Sequence, residues 1–178
     1  GLVVEGGEGG GFKNPRDVAT MVLLPLVRSR VTVPIIAAGG ICDGASMAAA
    51  FALGAEGVQM GSRMVSAAES PVHANWKQAI VAAKETDTVF LNRFSRPGLR
   101  ALRTETSERL ERQEHVGFDV FARAMDLYFG GDMEAAIALG GQVVGRIDAV
   151  KPVAQIIAET VADFRRTIGD LQTFSTAR

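Results

Sequence analysis

Apolar residues gather in three short runs in the first third of the chain, at 2–4, 33–38 and, more weakly, 57–60. Each run is nearly continuous rather than alternating, and each is followed at once by glycine: Gly6, the pair Gly39 and Gly40, and Gly61. Short continuous runs bounded by glycine read as strands buried on both faces. Helical patterns separate them. Asn14 can cap a helix with Pro15 in its first turn, and Val18, Met21 and Val22 recur at helical spacing, with Pro25 expected to kink or shorten it. Asp43 precedes the alanine-rich "GASMAAAFAL", and Gly54 stands where a C-terminal cap belongs.

The order strand, helix, strand, helix, strand predicts a parallel sheet covered on both faces. Right-handed crossovers would bring the three glycine loops out at one end, the carboxyl end of the strands, where barrels and open sheets bind ligands. A doubly wound open sheet is the alternative to a barrel. It is the weaker one: "GGEGGG" has dinucleotide-fingerprint spacing, but the second strand runs into "AAGG" rather than an acidic residue.

Residues 66–150 read as mostly helical. Ser70 and Pro71 offer a start for a helix in which Trp76 is a packing anchor rather than a stacking platform. Arg93, Arg96, Arg100 and Arg103 form either a solvated basic face or an anchor for an anionic substrate. "TSERLERQEHV" reads as a charged surface helix, and two further helices should break at Gly130 and Gly131. From Pro152 a long helix carries Val153, Ile156, Ile157, Val161, Phe164 and Ile168 as one apolar stripe, so residues 151–178 should pack back on the sheet.

Composition narrows the function classes. The 178 residues are 47% hydrophobic and 22% charged, with 19 basic against 20 acidic side chains. That is a soluble globular balance, with no general attraction to nucleic acid or an anionic membrane. No apolar run approaches the roughly 18 residues of a membrane span, and no signal peptide is evident. The single cysteine, Cys42, excludes an internal disulfide and fits a reducing cytoplasm.

Five stretches, "EGGEGGG", "VPIIAAGGICDG", "AAAFALGAEGVQMGSRM", "AAESPVHANWKQAI" and "ETDTVFLNR", follow one another in the order and spacing of the nitronate monooxygenase family, formerly 2-nitropropane dioxygenase, and its enoyl-ACP reductase II relatives. The likeness extends into "GDMEAAIALGGQVVGRIDAVKPVAQII". The resemblance implies an FMN-bearing TIM barrel with an inserted helical domain closing over the flavin. Residues 1–65 would supply strands six to eight and the FMN phosphate loops, 66–150 the substrate or lid domain, and 151–178 the returning helix. The first half of the barrel would then lie upstream in the intact protein, which is also compatible with a homo-oligomer.

On that resemblance Gly39, Gly40, Gly61 and Ser62 would hold the FMN phosphate, Gln59 and Met60 would line the same cavity, and Gly10 and Gly11 would run beside the isoalloxazine ring. Phe12 departs from the family: relatives commonly place there a proton-handling His, which Phe cannot replace. His73 and His115 lie far downstream and read as surface or packing residues, and Cys42 as packing. Phe12 could instead form an apolar wall suited to hydride transfer. The implied activity is oxidation of alkyl nitronates by O2 through FMN. The alternatives are an NAD(P)H-dependent reductase or desaturase of an enoyl thioester or quinone, and a non-catalytic FMN-binding barrel.

Overall fold

A computed structural model describes residues 1–176. β1 (Leu2–Glu5), β3 (Ile35–Ala38) and β4 (Gly57–Gln59) form a three-stranded sheet in the order β1-β3-β4, and both pairings are parallel, as expected. Crossover helices α1 (Thr20–Arg28) and α2 (Gly44–Ala52) join them. Val4, Leu24, Ile35, Ala37 and Ala50 make the core beneath one face. The opposite face is open: Val3 and its register partner Ile36 are 55% and 41% exposed.

α1 begins later than its sequence signal. The Asn14 side chain accepts from the Arg16 N–H at 3.1 Å, so it is spent on a local turn. The cap comes from far away in sequence: the Glu8 carboxylate accepts from the Thr20 N–H at 2.9 Å and from its hydroxyl at 3.0 Å. A carboxylate at a helix N-terminus satisfies a free donor and meets the positive end of the dipole. Pro25 lies inside the helix, which ends three residues later at Arg28. Asp43 caps α2 as expected, in a reciprocal box with Ser46.

The helical expectation for residues 66–150 needs correction. β2 (Gly11–Lys13), β5 (Thr88–Leu91) and β6 (Gly98–Leu102) build a second sheet, order β2-β6-β5, antiparallel throughout. β5 and β6 are buried at every position. Burial on both faces erases the period-2 alternation that would have marked them. Around this sheet lie α3 (Ser62–Val65), α4 (Ala74–Ala82), α5 (Glu105–Glu111), α6 (Ala124–Tyr128) and 3₁₀ turns at Phe118–Phe121 and Gln142–Arg146. α5 is the charged helix, capped by Thr104. The helix expected after Gly131 is absent: Leu139 instead bridges Ala101 at the sheet. α4 starts at Ala74 with His73 as its cap, so Ser70 and Pro71 precede it.

α7 (Val153–Thr176) packs along α2, with Ile156 and Thr160 buried and the Phe164 ring 5.2 Å from Phe51. Ile157 and Val161 of the expected stripe are 51% and 36% exposed, so the packed face is narrower than the sequence pattern. Among the described residues no helix is long and apolar enough to cross a membrane.

Trp76 is 2% exposed, edge-on to Tyr128 at 4.8 Å, and centres a cluster with Ile80, Leu127 and Val144. Truncating such a ring leaves a cavity the neighbours fill only partly. Trp76→Ala should therefore cost about 3–5 kcal/mol of stability by chemical denaturation. Its ligand affinity, measured on the remaining folded fraction, should stay at the wild-type value.

Candidate functional site

The last rung of the parallel ladder is Glu5, Ala38 and Gln59, paired in register across β1, β3 and β4. All three line a cavity of about 340 Å³ at the carboxyl end of the sheet. Alternation places Glu5 on the same face as Val3, the face without a core. Gly39, Gly40 and Ile41 follow β3 into the cavity wall, and Gly61 and Ser62 follow β4. Gly9, Gly10 and Gly11 enter from the glycine loop, and Leu139, Gly140, Gly141 and Val143 close the far side. Small-molecule sites run from about 300 to 1,000 Å³, so the size fits a ligand.

The two central loops have the chemistry of an anion cradle. Gly39 and Gly40 have φ of +79° and +76°, a conformation that side chains other than glycine rarely adopt. Among the described residues the N–H groups of Gly40, Ile41 and Gly61 have no acceptor. A Cβ built on Gly61 would meet nothing within 4 Å, so that backbone faces open cavity. Ser62 is 8% exposed, and its Oγ accepts from the Gly141 N–H at 2.9 Å, which leaves its own proton to donate. Unpaired backbone donors around a roomy concavity suit an oxyanion such as phosphate.

Seven of the eight residues expected to bind the cofactor therefore come together: Gly10, Gly11, Gly39, Gly40, Gln59, Gly61 and Ser62. Met60 does not; it packs against the core under the parallel sheet, the opposite side of the strand. Glu5, Gly140 and Gly141 were missed. The pair "GG" at 140–141 repeats the pattern of 39–40 and was the available signal. The structure shows its use: a Cβ on Gly10 would lie 2.5 Å from the carbonyl carbon of Gly140, so backbones there are in direct contact.

The other candidates lie elsewhere. Phe12 does not line the cavity. Its ring, 52% exposed, is 6.0 Å from those of both Phe118 and Phe121. None of the four arginines is among the residues lining the cavity. Arg100 is buried, donates to the Gly7 carbonyl at 2.9 Å and pairs with Asp17 at 3.4 Å, clamping the second sheet to the glycine loop. Burial lowers its pKa against the pull of Asp17. Arg93 and Arg103 pair with Glu111. His73 caps α4, and His115 lies 2.9 Å from the Ser95 hydroxyl.

Cys42 is buried beside a second cavity of about 370 Å³, lined by equal numbers of cationic and anionic side chains. Burial first, and the adjacent Asp43 next, push its thiol up to about 11 from 9.0. The reactive thiolate becomes the major form only above the raised value. At pH 8 alkylation should thus run about a hundredfold slower than for a thiol at 9.0, the ratio the two pKa values set, and accelerate as pH rises toward 11. Timed alkylation of the folded protein across pH 7–10 checks this.

Fold and site together define an α/β protein with a cavity at the carboxyl ends of parallel strands. The comparisons with known proteins give the family. The sequence model for nitronate monooxygenase matches residues 1–163, so the chain belongs to that family, whose members are oxidoreductases. It is 36% identical over 122 residues to the probable nitronate monooxygenase of Staphylococcus haemolyticus, covering 64% of this chain and 34% of that one. Among solved structures it matches FabK of Thermotoga maritima with a TM-score of 0.89 at 39% identity, over 97% of this chain and 56% of that one. Nitroalkane oxidase of Streptomyces ansochromogenes shares the fold at 22% identity and a TM-score of 0.78, over 95% of this chain and 52% of that one. The chain thus spans between a third and rather more than half of the proteins it matches.

Proposed function

We propose that this chain carries the phosphate-binding portion of an FMN-dependent oxidoreductase that oxidises alkyl nitronates. The observation that supports it most is the glycine-lined cavity on the last rung of the parallel ladder, with unpaired N–H groups on the Gly39–Gly40 and Gly61 loops. In barrels the loops after the last two strands hold phosphate, which matches β3 and β4 if these are the seventh and eighth. The open face at Val3 and Ile36 fits an interior that five further strands would fill.

In this reading Gly40, Ile41, Gly61 and Ser62 hold the phosphate, and Gly10 and Gly11 give the ring close passage. Bound FMN would supply the electron transfer between the substrate and O2. The protein's own part is to orient the cofactor and to keep water from its reacting face. Residues 66–150, with their central antiparallel sheet, would form the substrate or lid domain, in a cytoplasmic enzyme.

A second reading is favoured by the 39% identity to FabK and by Phe12, an apolar ring without proton chemistry. It is an NAD(P)H-dependent reductase of an enoyl thioester or quinone. Anaerobic titration of the full-length flavoprotein separates the two. Bleaching of the flavin by a nitronate, with little by NADH or NADPH, is the expected result. Bleaching by the nicotinamides alone would establish the second reading, and bleaching by neither donor would leave a binding protein.

A further inference from the structure

A charge pair ties together the two strands that flank the glycine loop beside the cavity, its lysine buried and its glutamate partly exposed. β2 pairs with β6 through Gly11, Phe12 and Lys13, and strand alternation sends Phe12 to one face and Gly11 with Lys13 to the other. Gly11 lines the cavity, while Phe12 turns to Phe118 and Phe121. The Lys13 side chain is 5% exposed, with its Nζ 2.6 Å from Glu5 Oε1. Among the described residues that ammonium has no well-aligned hydrogen-bond acceptor. Glu5, 41% exposed at its side chain, is the cavity-facing member. A Cβ on Gly9 would overlap Glu5 Oε1 and lie 2.8 Å from Lys13 Nζ, so this turn of the loop is closed around the pair.

We infer that the Glu5–Lys13 pair, a carboxylate on the cavity wall with its countercharge sealed behind it, sets the electron affinity of the bound flavin. The inference rests on the FMN reading, in which Gly10 and Gly11 run beside the isoalloxazine ring. Reduction adds electrons to that ring, so nearby positive charge favours the reduced form and nearby negative charge opposes it. With both partners present the two largely cancel. Removing Lys13 leaves the carboxylate uncompensated on the wall; removing the Glu5 charge leaves the ammonium uncompensated beneath it. In a partly buried site an unscreened unit charge moves such an equilibrium about tenfold or more. Lys13 is therefore a positioning and compensating group, and Glu5 the group that faces the cofactor.

The test is the midpoint potential of FMN in the full-length protein, read by anaerobic dye-coupled titration, with urea unfolding measured in parallel. Lys13→Met should disfavour reduction at least about tenfold, which for a two-electron couple is about 30 mV more negative. Glu5→Gln should shift it by a similar factor in the opposite direction, and Lys13→Arg should stay at the wild-type value. A purely structural staple would lower stability in both neutralised variants and leave both potentials unmoved, or move them the same way; either result overturns the inference. Should Lys13→Met shed its flavin, Glu5→Gln decides alone: its potential must rise. Wild-type protein that takes up no FMN would overturn the functional reading and the inference together. Wild-type protein that holds FMN, with unmoved variants, overturns the inference alone.

Discussion

Gly61→Leu should abolish FMN retention in a protein that remains folded. The position is suited to this test because a Cβ there meets no atom within 4 Å. The leucine side chain would therefore enter open cavity rather than collide with backbone, and folding would not suffer. By contrast, a side chain at Gly10 would strike the backbone of Gly140 and Gly141, and there loss of ligand could not be separated from loss of fold. In the cavity the leucine would stand where the phosphate approaches the N–H donors of the Gly61 and Gly40 loops. Each charge-assisted hydrogen bond to phosphate is worth about 1.5–3 kcal/mol. Loss of two corresponds to a hundredfold or greater loss of affinity, read by flavin fluorescence after dialysis. Wild-type affinity in a folded Gly61→Leu protein would remove Gly61 from the site.

Phe12→His should raise turnover of a neutral nitroalkane more than that of its nitronate. The neutral compound must lose a carbon-bound proton, and the nitronate has already lost it. General-base assistance contributes about 10²–10⁴-fold, which sets the scale of the difference. The substitution restores the residue type that relatives commonly hold at this position, although the Phe12 ring turns away from the cavity lining. Phe12 directly follows the cavity-lining Gly11, and its ring stands among Phe118 and Phe121 on the face away from Lys13. In wild-type protein that aromatic group offers no proton acceptor, so the neutral nitroalkane should react poorly. Equal effects of the substitution on both substrates, or on neither, would place Phe12 away from the reacting carbon.

The sequence announced the parallel sheet because its strands are short apolar runs cut off by glycine, and glycine is needed where Gly39 and Gly40 take positive φ. It announced most of the cavity for the same reason, since loops after parallel strands emerge together. Met60 was misplaced because neighbouring residues in a strand face opposite ways, and Gln59 alone points inward. The second sheet stayed hidden because β5 and β6 are buried on both sides and carry no alternation. Arg100 reads from the sequence as part of a solvated basic face or of an anchor for an anionic substrate, and it is neither. Its partners, the Gly7 carbonyl and Asp17, are more than eighty positions away, and no local pattern encodes such a contact. The Glu8 cap of α1 is hidden in the same way, twelve residues from the helix it starts.

In the proposed function the loops at Gly39, Gly40 and Gly61 hold the phosphate of a flavin mononucleotide. Comparing FMN with riboflavin on the full-length apoprotein isolates that phosphate, because the two ligands share the ring and the ribityl chain. The expected result is one FMN per chain and a preference over riboflavin of about a hundredfold or more, the worth of two charge-assisted hydrogen bonds. Equal affinity for the two, or binding of neither, would show that these loops do not hold a flavin phosphate.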